Sequence, residues 1–584
     1  RGISIRMPLL IYGADVSNED EELTIDNFTH LIDDQSWEEF MPRGVTKEVF
    51  EKFKKYYEPD VFRAAGKRIR AMARAADKVS VEERIGRITT IFNTFRNPDK
   101  ETVLTPWRVV NMHLGDCIGG YVFYDETFEH LLEEPRFVDQ GDVTKKVFAP
   151  DARILEINSK SGLYPLYMAY GIYRSQLDTE YPDGNCTPEQ QMEIWDQVVA
   201  ENIFVICKTP MAKSITKRTL VGFRNAKVNT RYFEDLINQI TNKSANFVEK
   251  VKQGKTYWKS NNDDNMKFNA IVGNPPYQIM DGGAQASATP IYNKFVEISK
   301  KINPRFISMI MPARWMTGGK GLDTFREEML NDQHLITLHD YVNARVCFDN
   351  VEIKGGICYF LRDAEKKSKC KIYLHDDEGK VVSKSERFLK ESGDDIFISD
   401  SRLISIKEKV LSFGEKTFNT IISTMKPYGL RGDFFKNPKK YGLPDISDTP
   451  IKDGFTIIGL DDNLKRVKKY IPSDYPIPRK DGLYDFKIFI PRNYGSGKMG
   501  DTKVKTILAT PGMLCTETFV QIYPFRNKEE MNNCNKYINT KFFSLLLSIR
   551  KQDQNASRNV YQFIPLQDFT SSSDIDWSKP IADI

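Results

Sequence analysis

The chain has 584 residues, with 84 Lys and Arg against 80 Asp and Glu and a formal net charge of +4. That length exceeds a single core and implies several domains. A near-neutral total neither requires nor excludes nucleic acid, because local charge decides that question. The eight cysteines are scattered without a CxxC pair and the six histidines form no ligand-spaced cluster, so neither a metal centre nor a disulfide framework is expected, which fits a reducing cytoplasm. No run approaches the roughly 18 apolar residues of a membrane span.

The chain opens on Arg1, and Ile3-Ser4-Ile5-Arg6-Met7-Pro8-Leu9-Leu10-Ile11-Tyr12-Gly13 reads as an apolar strand. Its apolar run, Met7 to Tyr12, is too short for the apolar core of a leader and no small-residue cleavage site follows. An apolar strand at a free end is an edge liability, so it is expected to complete something upstream. The other end, Trp577 to Ile584, stops without a capping element. Both ends are therefore read as cuts in a longer polypeptide. Residues 1–100 form a polar, helical region: acidic clusters at Asn18 to Glu22 and Asp33 to Glu39 precede Phe62 to Ala76, whose apolar spacing is helical. No catalytic pattern occurs there, and a linker or docking role is expected.

Residues 101–400 alternate short β-branched runs with helical ones: Ala152 to Ile157, Ile203 to Cys207, Phe268 to Val272, Phe306 to Met311 and Ile357 to Leu361. That alternation predicts a doubly wound α/β domain. Its decisive text is Phe268-Asn269-Ala270-Ile271-Val272-Gly273-Asn274-Pro275-Pro276-Tyr277, a buried strand running into a rigid polar turn. Such a turn falls at the carboxyl end of a parallel strand, where α/β domains hold ligands. An exocyclic amine is a poor nucleophile because its lone pair is delocalised into the ring. The Asn274 oxygen and the Pro275 carbonyl can accept its two N–H bonds and favour the pyramidal, reactive nitrogen. Two prolines fix those acceptors in advance, and Tyr277 offers a flat face for a base taken out of the helix.

On this motif and those around it, the chain resembles the gamma-class adenine-N6 DNA methyltransferases of fused restriction–modification enzymes, the type IIG and type I-like single-chain family. The resemblance covers about 105 to 575, with motifs in the family's order. Thr105-Pro106-Trp107-Arg108-Val109-Val110-Asn111-Met112 resembles the opening Thr-Pro motif, which packs around the cofactor's methionine end. Ile154-Leu155-Glu156-Ile157-Asn158-Ser159-Lys160-Ser161-Gly162 stands where the glycine-rich cofactor loop belongs. Asn202 to Leu220 is similar to the second strand and helix, whose acid holds the cofactor ribose, and Tyr232-Phe233-Glu234-Asp235-Leu236 resembles the loop whose acid lies near the cofactor adenine. Pro290-Ile291-Tyr292, Ile310 to Trp315, Phe348 and Gly355 to Phe360 follow, the last two resembling the segment that shapes the target-base pocket, with Phe348 and Tyr277 as stacking partners.

The resemblance implies a Rossmann-like domain, S-adenosyl-L-methionine as cofactor, catalytic Asn274, Pro275, Pro276 and Tyr277, and a cofactor set of Thr105, Pro106, Glu156, Asn158, Lys160, Gly162, Cys207 and Asp235. Two positions depart from the pattern. Lys160 replaces the loop's middle glycine, where it crowds the methionine end or pairs with its carboxylate. Cys207 stands at the ribose acid, and a thiol cannot accept two hydroxyl bonds as a carboxylate does.

Residues 401–584 combine short strands with Pro/Gly turns, and Lys426-Pro427-Tyr428-Gly429-Leu430 resembles the start of the family's specificity domain. Between Leu464 and Lys505 eleven Lys and Arg face four Asp, interleaved with Tyr470, Tyr475, Tyr484, Phe486 and Phe489. Lys465, Arg466, Lys468, Lys469, Arg479, Lys480, Arg492 and Lys498 are the candidate phosphate contacts. A second polar loop, Lys551 to Arg558, carries Arg558 and groups that read base edges. The expectation is thus an α/β methyltransferase at 101–400, preceded by a helical region and followed by an α+β target-recognition domain at 401–584. It acts on double-stranded DNA in a bacterial cytoplasm, away from membranes, with a translocase or nuclease region in the same full-length polypeptide. The alternatives are a weak or inactive DNA-binding module, and a methyltransferase of RNA or protein glutamine.

Overall fold

Short apolar runs buried on both faces make a sheet of the first unit. β1 (Ile154–Ile157), β2 (Ile203–Cys207), β3 (Asn229–Tyr232), β4 (Ala270–Gly273), β5 (Phe306–Pro312), β6 (Leu335–Tyr341), β7 (Ile357–Asp363), β8 (Cys370–His375) and β9 (Val381–Arg387) pair in the order 9-8-6-7-5-4-1-2-3. β1 to β6 and β8 are parallel, while β7 and β9 run against their neighbours. β1, β2, β4 and β5 are buried throughout, as strands covered on both faces must be. From β1 the chain builds outward to β3, then returns to lay β4 on the other side of β1. The crevice left at the carboxyl ends of β1 and β4 is the usual ligand position of such sheets.

In this computed structural model, the described residues are all except 1, 15–21, 96–102, 261–264, 281–287, 320, 350, 352, 354, 391–395, 444, 462, 496–503, 552–554 and 584. The chain divides into two units, Arg1–Ser399 and Asp400–Ile584. Three helices of the first matter for the site: α1 (Leu163–Glu180), α2 (Pro210–Val221) and α3 (Tyr292–Ile302). α2 shows why it starts and stops where it does. Thr209 accepts the Ala212 amide, Pro210 occupies the first position, and Gly222 ends the helix with φ +67.

The run from Ile3 to Gly13 is not a strand but part of a helix, Gly2–Gly13. Leu9, Leu10, Ile11 and Tyr12 are consecutive and all buried, which suits a helix enclosed all round rather than a strand with one wet face. Its end is held by α2: Ser214 Oγ donates to Gly13 O at 2.7 Å, and Arg218 donates to Tyr12 O. Among the described residues the α-helices Asp34–Phe40, Lys47–Phe53, Pro59–Ala76 and Val81–Asn93 follow. Buried Arg84 of the last donates to the carbonyls of Arg218 and Thr219 at 2.9 and 3.0 Å, satisfying the final turn of α2.

The described residues of the second unit include two small sheets. Phe455–Leu460 pairs with Arg466–Ile471 and Met513–Cys515, and Phe486–Pro491 lies between Ile507–Ala509 and Phe519–Phe525. Helices Ser401–Leu411, Lys528–Ile538 and Lys541–Arg550 belong to it too. Among the described residues no helix is long and apolar enough to cross a membrane, and no group of three or more His, Cys, Asp or Glu is placed to hold a metal ion.

Candidate active site

β4 delivers Asn274-Pro275-Pro276-Tyr277 to the crevice beside the end of β1. Gly273 makes the approach possible: at φ +154, a Cβ there would stand 3.2 Å from Glu156 Cγ. The Asn-Pro-Pro-Tyr residues line one pocket together with Leu104, Thr105, Glu156, Asn158, Lys160 and Tyr164. Asn274 Nδ2 donates to Thr105 Oγ1 at 2.9 Å, which leaves Oδ1 as the free end of the amide. That oxygen is buried without a partner, as are Glu156 Oε2, Asn158 Oδ1 and the Tyr277 hydroxyl. Unsatisfied buried polar atoms cost about 1–3 kcal/mol each, so four around one small pocket mark a place built for a polar ligand.

Burial pushes the Glu156 carboxyl up to about 8, against the opposing Ser159 hydrogen bond. Burial likewise raises the Tyr277 hydroxyl far above its ordinary range. Asn158, the residue after β1, stands at φ +72, a left-handed conformation Asn tolerates. Pro106 begins the helix Trp107–Cys117 as its N-cap and is half-buried. Phe348 is fully buried and meets Tyr277 edge-on, ring centres 6.3 Å apart. As it stands it supports Tyr277 and offers no open face to a base.

Gly162 caps α1 at φ +75, and a Cβ there would meet Thr216 Cα at 3.1 Å. The glycine is thus fixed by the packing of α1 on α2. Gly162→Ala should lower stability by about 1–2 kcal/mol, the cost of a left-handed non-glycine residue, read by urea denaturation. An unchanged midpoint would contradict this packing role.

Cys207 and Asp235 are not among the residues lining the pocket. The Cys207 thiol is fully buried, 3.8 Å from Thr216 Oγ1. Asp235 is exposed, with φ +53, and accepts from Asn238 Nδ2 at 2.6 Å. Beyond the end of β2, Thr209 Oγ1 donates to Glu39 of the helix Asp34–Phe40. Sequence reasoning also passed over Tyr164 and its buried partner His113, bonded at 2.8 Å. Only the helical position just after Gly162 hinted at Tyr164, and nothing hinted at the histidine.

In the second unit Lys465, Arg466, Lys468, Arg479, Lys480 and Arg558 are exposed. Lys469 is paired with Asp448, and Arg492 is half-buried with its Nε unpartnered. Lys487, counted above with the basic stretch, belongs to the core: its ammonium donates to the carbonyls of Gly482, Leu483 and Asp485 at 2.7, 3.0 and 3.2 Å. Burial lowers it to about 8. Lys551 is buried too and donates to Tyr494 O at 2.6 Å. Lys498 and residues 552–554 lie outside the described residues.

Residues 201–348 match the family model described as Eco57I restriction-modification methylase. A Mycoplasma pneumoniae protein described as an uncharacterized adenine-specific methylase is 30% identical over 138 residues, which are 21% of this chain and 32% of that protein. The chain thus spans about a third of this curated relative. Among solved structures, the DrdV–DNA complex is similar at 12% identity and a TM-score of 0.43, over 98% of this chain and 65% of that one. The type IIL enzyme MmeI in complex with DNA is similar at 10% identity and a TM-score of 0.44, over 96% and 79%. Likenesses that faint add nothing about function. The family match, by contrast, includes β2, the Asn-Pro-Pro-Tyr turn and Phe348. The part of the chain holding that turn is thus similar to the Eco57I restriction-modification methylase family.

Proposed function

We propose that the protein is a sequence-specific DNA adenine-N6 methyltransferase with a Rossmann-like catalytic domain, using S-adenosyl-L-methionine. The observation that carries this reading is the set of four unpartnered buried atoms, Glu156 Oε2, Asn158 Oδ1, Asn274 Oδ1 and the Tyr277 hydroxyl, in residues lining one pocket. They fit the amino-acid end of the cofactor on one side and a planar amine on the other. Glu156 and Asn158 offer acceptors to an ammonium group, and Lys160 offers a cation to its carboxylate. When bound, the cofactor supplies a methyl group already activated on sulfonium, so no strong base is needed. Thr105 holds the Asn274 amide with its oxygen free, so that oxygen and the Pro275 carbonyl are pre-set to accept the two amine protons. Tyr277, braced by Phe348, presents its ring to the extruded adenine.

The exposed Lys465, Arg466, Lys468, Arg479, Lys480 and Arg558 of the second unit suit duplex phosphates. Tyr277→Ala should weaken capture of the flipped base by about 1–3 kcal/mol, lowering the fluorescence of 2-aminopurine at the target position. An unchanged signal removes Tyr277 from the pocket. The activity itself is tested by tritium transfer from S-adenosylmethionine to duplex DNA. DNA binding without transfer would make the chain a non-catalytic binding module.

A further inference from the structure

Tyr164 is the second residue of α1, lines the pocket and is 3% exposed. Its hydroxyl is hydrogen-bonded to His113 Nδ1 at 2.8 Å, and His113 Nε2 to Ser308 Oγ at 2.9 Å. The direction of each bond follows from the far end of the chain. Ser308 Oγ donates to Phe360 O at 2.9 Å, and a hydroxyl has one proton to give. Ser308 therefore receives the Nε2 proton, the neutral imidazole is bare at Nδ1, and Tyr164 must donate its own proton there. Burial lowers His113 to about 3, so no second ring proton reverses the order at neutral pH.

The Tyr164 oxygen is thus left with lone pairs and nothing to donate. It lies within electrostatic reach of the Tyr277 hydroxyl and the Glu156 carboxyl. Glu156 Oε2 and Asn158 Oδ1 are further acceptors in residues of the same pocket, both unpartnered. Three acceptors match a group that carries several N–H donors and a positive charge. We infer that Tyr164 is a fixed acceptor for the ammonium group at the amino-acid end of the cofactor, and that His113 and Ser308 are the positioning residues that hold it so. This rests on the cofactor reading above.

Calorimetric titration of the whole chain with S-adenosylhomocysteine and with 5′-methylthioadenosine, which lacks the amino-acid end, tests it. Tyr164→Phe should weaken S-adenosylhomocysteine about 10- to 100-fold, the range for a hydrogen bond to a charged group, and methylthioadenosine less than about twofold. His113→Asn, which keeps an acceptor near the Nδ1 position, should retain more of the S-adenosylhomocysteine affinity than His113→Leu. Unchanged S-adenosylhomocysteine affinity in Tyr164→Phe overturns the inference, and equal weakening of both ligands assigns Tyr164 a structural role only. Equal losses in the two His113 variants remove His113 from the positioning chain. If the unmodified protein binds neither ligand, the cofactor reading falls first.

Discussion

Asn274→Ala is expected to lower methyl transfer by about 100- to 1000-fold, the range seen when one pre-set polar group is removed from a reacting centre. Duplex affinity should change by less than about threefold. The contrast arises because the Asn274 oxygen is poised by Thr105 through the amide nitrogen and has no other partner. In the proposed reaction its bond to the target amine strengthens only as that nitrogen becomes pyramidal, so the loss is expected on the transition state and not on DNA binding. Thr105→Val should reproduce part of the loss by freeing the amide to turn over. Single-turnover transfer beside a fluorescence-anisotropy titration separates the two quantities. Equal losses in both would show that Asn274 serves DNA binding and not the reaction.

The second large effect concerns pH. Burial holds the Glu156 carboxyl near 8, against an ordinary value of 4.5, so below pH 8 the ligand-free protein keeps its proton. A cation seated beside Glu156 favours the ionised form and draws that proton off. Cofactor affinity should therefore rise by up to about tenfold per pH unit between roughly pH 6 and 8, then level. Titrations in buffers of different ionisation enthalpy should register close to one proton released per cofactor at pH 7. Glu156→Gln should flatten the profile, and a profile equally steep in that variant would contradict the assignment. The same group acts on folding with the opposite preference. Its stabilising contribution is complete below about pH 4.5 and is lost as pH rises through the folded value near 8, because the unfolded carboxyl ionises first.

The parts of the fold legible in the sequence were those whose burial is uniform. β1, β2, β4, β5 and β7 are apolar runs and announce themselves. β3, β6, β8 and β9 escape because Asn229, Arg231, His339, Asp340, Lys371 and Lys384 interrupt theirs. The buried ones find partners that only the fold supplies, as His339 does in His375, 3.0 Å away. The run from Ile3 to Gly13 misled for a related reason, since unbroken apolar residues fit a strand and a fully enclosed helix equally well. At the site, pocket residues close together in sequence were readable: Asn274 to Tyr277, and Glu156 with Asn158. What joins Asn274 to Thr105, Tyr164 to His113, or Glu39 to Thr209 is contact between residues 51 to 170 positions apart. No local pattern records such contacts. Basic residues were misjudged wherever charge was counted without burial, as with Lys487.

The most direct measurement is the identity of the modified nucleoside. Duplex DNA incubated with the protein and S-adenosylmethionine carrying a deuterated methyl group would be digested and its nucleosides resolved by mass spectrometry. The expected product is N6-methyldeoxyadenosine bearing the heavy methyl group, absent with Asn274→Ala. Label in cytosine alone, or in no nucleoside although the DNA is bound, would contradict adenine methylation at this pocket.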